Sequence, residues 1–263
     1  MYYFACFLEP ILLITTDRDI RSMPMNSEEY RFIQSDLTQV HGVSIDYNDG
    51  SLYWSDKGNH SSGIYKSMLD GSRNQNVISF GVEEVGDLKV DGIGRHLYFV
   101  DSNRKNIVVC DLKGTVCTIL CGQLDKPHAL ALYPETSMMF WSDWGSHPHI
   151  ASAGMDGSKQ TNVITTGVVR PSGLAVDEAI QRIFWGDTSL NRIESSRIDG
   201  SDRKILLNEV NPFSLALFKN MIYWCDPTEH EIISVDKNTG DHYKVGCLQF
   251  YICYFNEHIY MVF

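Results

Sequence analysis

Five copies of one four-residue group are spread along the chain at nearly even intervals. Each has two aromatic residues, a variable residue and an aspartate: Tyr-Trp-Ser-Asp at 53–56, Tyr-Phe-Val-Asp at 98–101, Phe-Trp-Ser-Asp at 140–143, Phe-Trp-Gly-Asp at 184–187 and Tyr-Trp-Cys-Asp at 223–226. Successive starts lie 45, 42, 44 and 39 residues apart. Self-similarity at a period of about 40–45 residues marks a chain built from stacked units, a propeller or a solenoid. One active site has no use for five such groups, so the pattern speaks for packing before chemistry.

The flanks of each group repeat as well. A short alternating run precedes it: Gly-Val-Ser-Ile-Asp from 42, Asp-Leu-Lys-Val-Asp from 87, Ala-Leu-Ala-Leu-Tyr from 129, Gly-Leu-Ala-Val-Asp from 173 and Ser-Leu-Ala-Leu-Phe from 214. A second run, a turn and a last short run follow. Alternation at period two with β-branched and aromatic enrichment predicts strands, four to a unit. The pairs Asp70-Gly71, Asp156-Gly157 and Asp199-Gly200 suit tight hairpins, both residue types tolerating positive φ. No long stretch shows a helical period. Four-stranded units of this length predict blades around a central channel.

A chain of 263 residues has room for six such units. Its 43% hydrophobic and 11% aromatic content can fill a core, and a net charge of −11 argues against a nucleic-acid surface while suiting cationic partners. The seven cysteines, at 6, 110, 117, 121, 225, 247 and 253, contain no zinc-type pair. Cys110 and Cys117 flank one turn symmetrically, which fits either a cross-hairpin disulfide or two buried thiols. Asn59 heads the single glycosylation sequon. Residues 1–10 read as a leader or the remnant of an upstream module, and no stretch has the roughly 18 apolar residues of a membrane span.

The tetrads, the Trp-Gly that follows Asp143, Arg-Pro-Ser-Gly-Leu-Ala-Val-Asp at 170–177 and Asn-Pro-Phe-Ser-Leu-Ala-Leu-Phe at 211–218 resemble the YWTD repeats of the LDL receptor family. The resemblance covers about residues 11–246. It implies an all-β, six-bladed propeller of four-stranded antiparallel blades with the tetrad on the second strand of each. Residues 11–263 then form one domain, with a poorly matching tail at 248–263. The N-terminal segment supplies strands two to four of the opening blade. A C-terminal strand, sought within Leu248–Phe255, returns as its innermost strand and leaves no open edge. The chain reads as a piece of a larger receptor whose EGF-like modules and ligand-binding repeats lie elsewhere.

This frame gives the tetrads structural roles. The rings, including Trp54, Trp141, Trp185 and Trp224, are expected to fill the seams between blades. Asp56, Asp101, Asp143, Asp187 and Asp226 are expected to accept backbone hydrogen bonds at strand ends, as a buried carboxylate requires. Val100, Gly186 and Cys225 replace the family's threonine and remove its hydroxyl.

Strand order puts the 2–3 loops and 4–1 connections on one face, where variable residues collect and binding is expected. The candidate ligand-binding residues there are Arg18, Glu83, Trp144, Arg170, Asn191 and Glu229. Asn191 matches an asparagine with which Wnt co-receptors of the family grip short basic motifs, and Arg170 stands where many relatives carry a tryptophan. Asn191 and Asn211 occupy the positions of the LDL receptor's acid-sensing histidines and cannot titrate. His128, His147 and His149, with His41 and His230 nearby, are the remaining pH-sensing candidates.

The resemblance implies an extracellular, non-enzymatic module of an endocytic receptor that takes up lipoprotein or yolk protein, facing the cell exterior or the endosomal lumen. A Wnt co-receptor-like propeller binding basic-motif peptides is the alternative. A calcium-dependent propeller lactonase is a third reading, with no isolated carboxylate set or nucleophile–His–Asp group to support it. No catalytic residue, metal or cofactor is expected, and the partners are proteins.

Overall fold

A computed structural model describes residues 10–25, 27, 29–58, 62–228, 231–240, 242–247 and 258–262, the last two stretches by backbone alone. Six four-stranded antiparallel sheets make six blades. Blade two runs Val40–Asp46, Ser51–Asp56, Gly63–Met68 and Gln75–Ile78, from innermost to outermost strand. Blade three repeats this order with Val85–Asp91, His96–Asp101, Asn106–Asp111 and Cys117–Cys121. Blade four has Pro127–Tyr133, Met138–Asp143, His149–Gly154 and Thr161–Ile164, and blade five has Pro171–Asp177, Arg182–Asp187, Arg192–Arg197 and Lys204–Asn208. Blade six has Leu215–Phe218, Met221–Asp226, Glu231–Asp236 and His242–Cys247. Among the described residues the one helical turn is the 3-10 segment Pro134–Thr136.

Blade one joins the two ends of the chain. Ile11–Thr15, Ile20–Pro24 and Arg31–Gln34 are its second to fourth strands, and His258–Val262 lies innermost, antiparallel to Ile11–Thr15. The closing strand thus falls after the segment Leu248–Phe255 expected from the sequence, which itself lies outside the described residues. The reason is register: the strand is defined by its pairing with Ile11–Thr15, and no tetrad marks it.

The tetrad rings explain the ring of blades. Because strand side chains alternate, the two aromatics of a tetrad face opposite sides of their blade. Tyr53 packs toward blade three and Trp54 toward blade one. The pairs Tyr98/Phe99, Phe140/Trp141, Phe184/Trp185 and Tyr223/Trp224 divide in the same way. Six apolar clusters result, each drawn from two adjacent blades. Burying each large ring contributes about 1.5–3 kcal/mol, so the seams are the core.

The third tetrad position serves the innermost strand, which slips register near its start in blades two to five. Ser55 and Ser142 hydroxyls accept the Gly42 and Ala129 N–H groups at that slip, each at 3.0 Å. Gly186 breaks the pattern for a steric reason: any Cβ there would collide with Pro212.

The Asp-Gly turns differ from the sequence expectation. Gly71, Gly157 and Gly200 are left-handed, with φ of 81°, 82° and 84°, while their aspartates are not. Each turn is a type I turn followed by a left-handed glycine, closed by bonds such as Gly71 N–H to the Met68 carbonyl at 2.9 Å. The aspartates accept instead: the N–H groups of Ser72, Ser158 and Ser201 reach Asp70, Asp156 and Asp199 at 2.9 Å. Bonds from those serines hold the three carboxyls below their usual range. Each glycine also abuts the outermost strand of the preceding blade, where a Cβ would meet a carbonyl of Ile33, Leu120 or Val163. Of the two readings of Cys110 and Cys117, the structure has the disulfide, directly across the third hairpin. Cys121 is a buried free thiol, and Cys225 is buried within the blade-six tetrad.

Candidate functional site

The tetrad aspartates sit where each blade meets the loop face. Asp143 accepts the Asp125 and Lys126 N–H groups from the 4–1 connection, at 3.0 and 2.8 Å, and the Gly145 N–H from its own 2–3 loop at 2.9 Å. Asp187 likewise holds Val169 and Arg170 at 2.8 and 3.1 Å, and Ser189 and Leu190 at 3.1 and 3.0 Å. Asp101 takes Glu83, Glu84 and Arg104, Asp56 takes Thr38, Gln39 and Gly58, and Asp226 takes Asn211 and Thr228. In each of blades two to six, one carboxylate therefore ties two surface loops together. The five lie in five different blades, an arrangement that cannot assemble one reactive centre.

Three of the sequence candidates meet on this face. The Trp144 indole N–H donates to the Pro171 carbonyl of blade five at 2.6 Å. The His128 ring lies against it, centroids 3.6 Å apart and tilted by 31°. The Arg170 guanidinium sits 4.5 Å from the same ring. Phe213 extends the patch, its ring edge-on to His128 at 6.5 Å. The remaining candidates stand apart. Asn191 ends the blade-five 2–3 loop, exposed, with φ 51° and its carbonyl accepting the Val210 N–H at 3.1 Å. Asparagine is well suited to that left-handed position. Glu83 pairs with Arg104 at 3.3 Å, and Arg18 is exposed with its carbonyl bound by the Leu37 N–H. Glu229, His230 and Asn59 lie outside the described residues.

His147 and His149 form a small chain with Ser146. Asp125 accepts both the Ser146 N–H and, at 2.8 Å, its hydroxyl, and Ser146 Oγ lies 3.1 Å from His147 Nδ1. The serine's bonds keep the Asp125 carboxyl below its usual range. A side chain at Gly145 would occupy the space of that carboxylate, so glycine is required there. His41 is pushed below the usual histidine range by burial, against the opposing pull of Glu84 and Asp17. Among the described residues no three His, Cys, Asp or Glu side chains are grouped to hold a metal, and no helix is long and apolar enough to cross a membrane.

Sequence reasoning placed Lys126 on this face within the connection at 126–128 but passed over Phe213 and Asp125. A signal for Phe213 was present: Pro127, Pro171 and Pro212 open successive inner segments, so His128, Ser172 and Phe213 occupy one position around the rim.

Six four-stranded blades with a repeated tetrad on the second strand of five of them define a six-bladed propeller of the repeat class. Residues 137–178 and 181–218 match the family model described as low-density lipoprotein receptor repeat class B. The chain is 34% identical over 90% of its length to the vitellogenin receptor of Solenopsis invicta and 32% identical over 90% to the vitellogenin receptor Yl of Drosophila melanogaster. It spans only 14% and 12% of those two proteins. It is also 32% identical to the human low-density lipoprotein receptor-related protein 5-like protein, over 72% of this chain and 75% of that one. The chain belongs to the LDL receptor-related family built on class B, or YWTD, repeats. A propeller from the crystal structure of a nidogen/laminin complex shares the fold, with a TM-score of 0.83 at 21% identity over 95% of this chain and 98% of that one.

Proposed function

We propose that this propeller is a non-enzymatic, extracellular ligand-binding module of an endocytic receptor for yolk protein or lipoprotein, docking protein partners on the face of 2–3 loops and 4–1 connections. The observation that carries the reading is the distribution of side chains between the two faces. On the turn face, Asp-Gly-Ser hairpins spend their polar groups on their own backbone. On the loop face, exposed Glu83 and Arg170 project from backbone held by the buried Asp101 and Asp187, and exposed Arg18 and Asn191 from backbone whose carbonyls accept the Leu37 and Val210 N–H groups. Exposed side chains on a rigid frame are what recognition needs. Two vitellogenin receptors among the relatives support the ligand class.

The test is binding of purified insect yolk lipoprotein to this chain, wild type against Asn191→Ala, at neutral and endosomal pH. The expected result is saturable binding weakened by the substitution. Absence of binding, or indifference of both the loop face and Asn191, would defeat the reading. The LRP5-like relative favours a second reading, a signalling propeller that binds basic-motif peptides through Asn191. A lysine-bearing peptide competing with the lipoprotein would support it.

A further inference from the structure

We infer that Arg170, laid over Trp144, receives a carboxylate from an acidic segment of a protein partner. The inference rests on the loop face being the docking surface and adds the chemistry of what docks there.

The guanidinium is placed before any ligand arrives. Trp144 is anchored through its indole N–H to Pro171 and backed by His128, and Arg170 lies 4.5 Å from the ring. Its backbone N–H is held by Asp187 at 3.1 Å. A guanidinium stacked on a fixed ring keeps its N–H edge available and loses little freedom when that edge is used. The nearby carboxylates are already engaged: Asp187 by four backbone N–H groups, Asp125 by Ser146 and by Lys105 at 3.7 Å. Among the described residues, neither Arg170 nor Lys126 has a carboxylate within ion-pair distance. The planar fork of Arg170 matches a carboxylate with two parallel bonds. Trp144 and Phe213 beside it favour an aromatic or aliphatic neighbour of the acid.

Charge selects the occupant. A net charge of −11 repels extended polyanions such as nucleic acid or an anionic bilayer. A short acidic segment lies within the Debye length of about 8 Å from the two local cations and is screened from most of the rest. A lysine side chain would meet Arg170 with like charge.

The experiment titrates this 263-residue chain into a fluorescent hexapeptide, Gly-Asp-Glu-Phe-Asp-Gly, by anisotropy. A counterpart with Asn and Gln in place of the acids and one with Lys in their place are run beside it. The variants are Arg170→Gln and Asn191→Ala, both exposed, with unchanged melting as the folding control. The acidic peptide is expected to bind about tenfold tighter than the amide counterpart and to lose about tenfold in Arg170→Gln. Asn191→Ala is expected to matter less. No binding of the acidic peptide, equal binding of the amide peptide, tighter binding of the lysine peptide or indifference to Arg170→Gln would overturn the inference. A bulky label on Ser189→Cys separates the two levels. If it blocks lipoprotein while Arg170→Gln changes nothing, the docking face stands and this inference falls. If it leaves lipoprotein binding intact, the docking face itself falls.

Discussion

At the scale of single residues, the tetrad aspartates connect architecture to recognition. Asp143 is buried yet orders both Lys126 in the 4–1 connection and Gly145 in the 2–3 loop that presents Trp144. Asparagine at this position would turn one acceptor into a donor facing backbone N–H groups. Asp143→Asn is therefore expected to cost about 1–3 kcal/mol, read as a lower urea midpoint at unchanged slope. His41 gives a pH prediction. Its folded-state pKa lies below the ordinary value because burial disfavours the cation, with Glu84, Asp17 and Asp56 pulling the other way and Lys57 adding to the depression. Below the unfolded-state pKa, about 6.5, the unfolded chain binds a proton that the folded chain refuses. The stability contributed by neutral His41 is complete above that pH and is lost as pH falls toward the folded pKa. His41→Gln is expected to flatten the dependence of the unfolding free energy between about pH 7 and pH 5. An unchanged slope would show that His41 is not the titrating group. These residue roles were unevenly legible. Five-fold repetition exposed the aspartates, because one physical demand recurs in each blade. The meeting of Arg170 with Trp144 was not legible, because it joins two loops whose separation in space no local pattern encodes.

At the scale of elements, the repeat predicted strands well and turns less well. Alternation fixes which face of a strand is buried, so the tetrads fell on second strands as expected. Turn type depends on how many residues bridge the strands, and an Asp-Gly pair fits more than one geometry. The glycine is held both by its left-handed φ and by the carbonyl of the preceding blade. Gly157→Ala is accordingly expected to destabilise by more than 1 kcal/mol, the approximate cost of strain at such a position, measured as a drop in melting temperature. A drop no larger than at an exposed strand site would contradict the interblade contact with Leu120. The Cys110–Cys117 disulfide closes a short hairpin, so its contribution is modest, about 2–3 kcal/mol in the chain-entropy account. Cys110→Ser with Cys117→Ser is expected to lower the melting temperature and leave peptide binding on the loop face intact, since the hairpin lies on the opposite side of blade three.

At the scale of the whole molecule, six seams of paired rings hold six blades, and the two chain ends meet in blade one. The number of blades was legible from the period and the length. The position of the closing strand was not, because His258–Val262 carries no repeat signature and is specified by its distant partner Ile11–Thr15. The same ring geometry separates a face of self-satisfied turns from a face of projecting loops. The claim that recognition belongs to the second face is tested most directly by masking each face in turn. A bulky maleimide polymer is attached to Ser189→Cys on the loop face or to Ile93→Cys on the turn face, and binding of yolk lipoprotein is measured by interferometry; both native residues are exposed. The label at 189 is expected to abolish binding and the label at 93 to leave it intact. Binding that survives the first label and fails with the second would contradict the account.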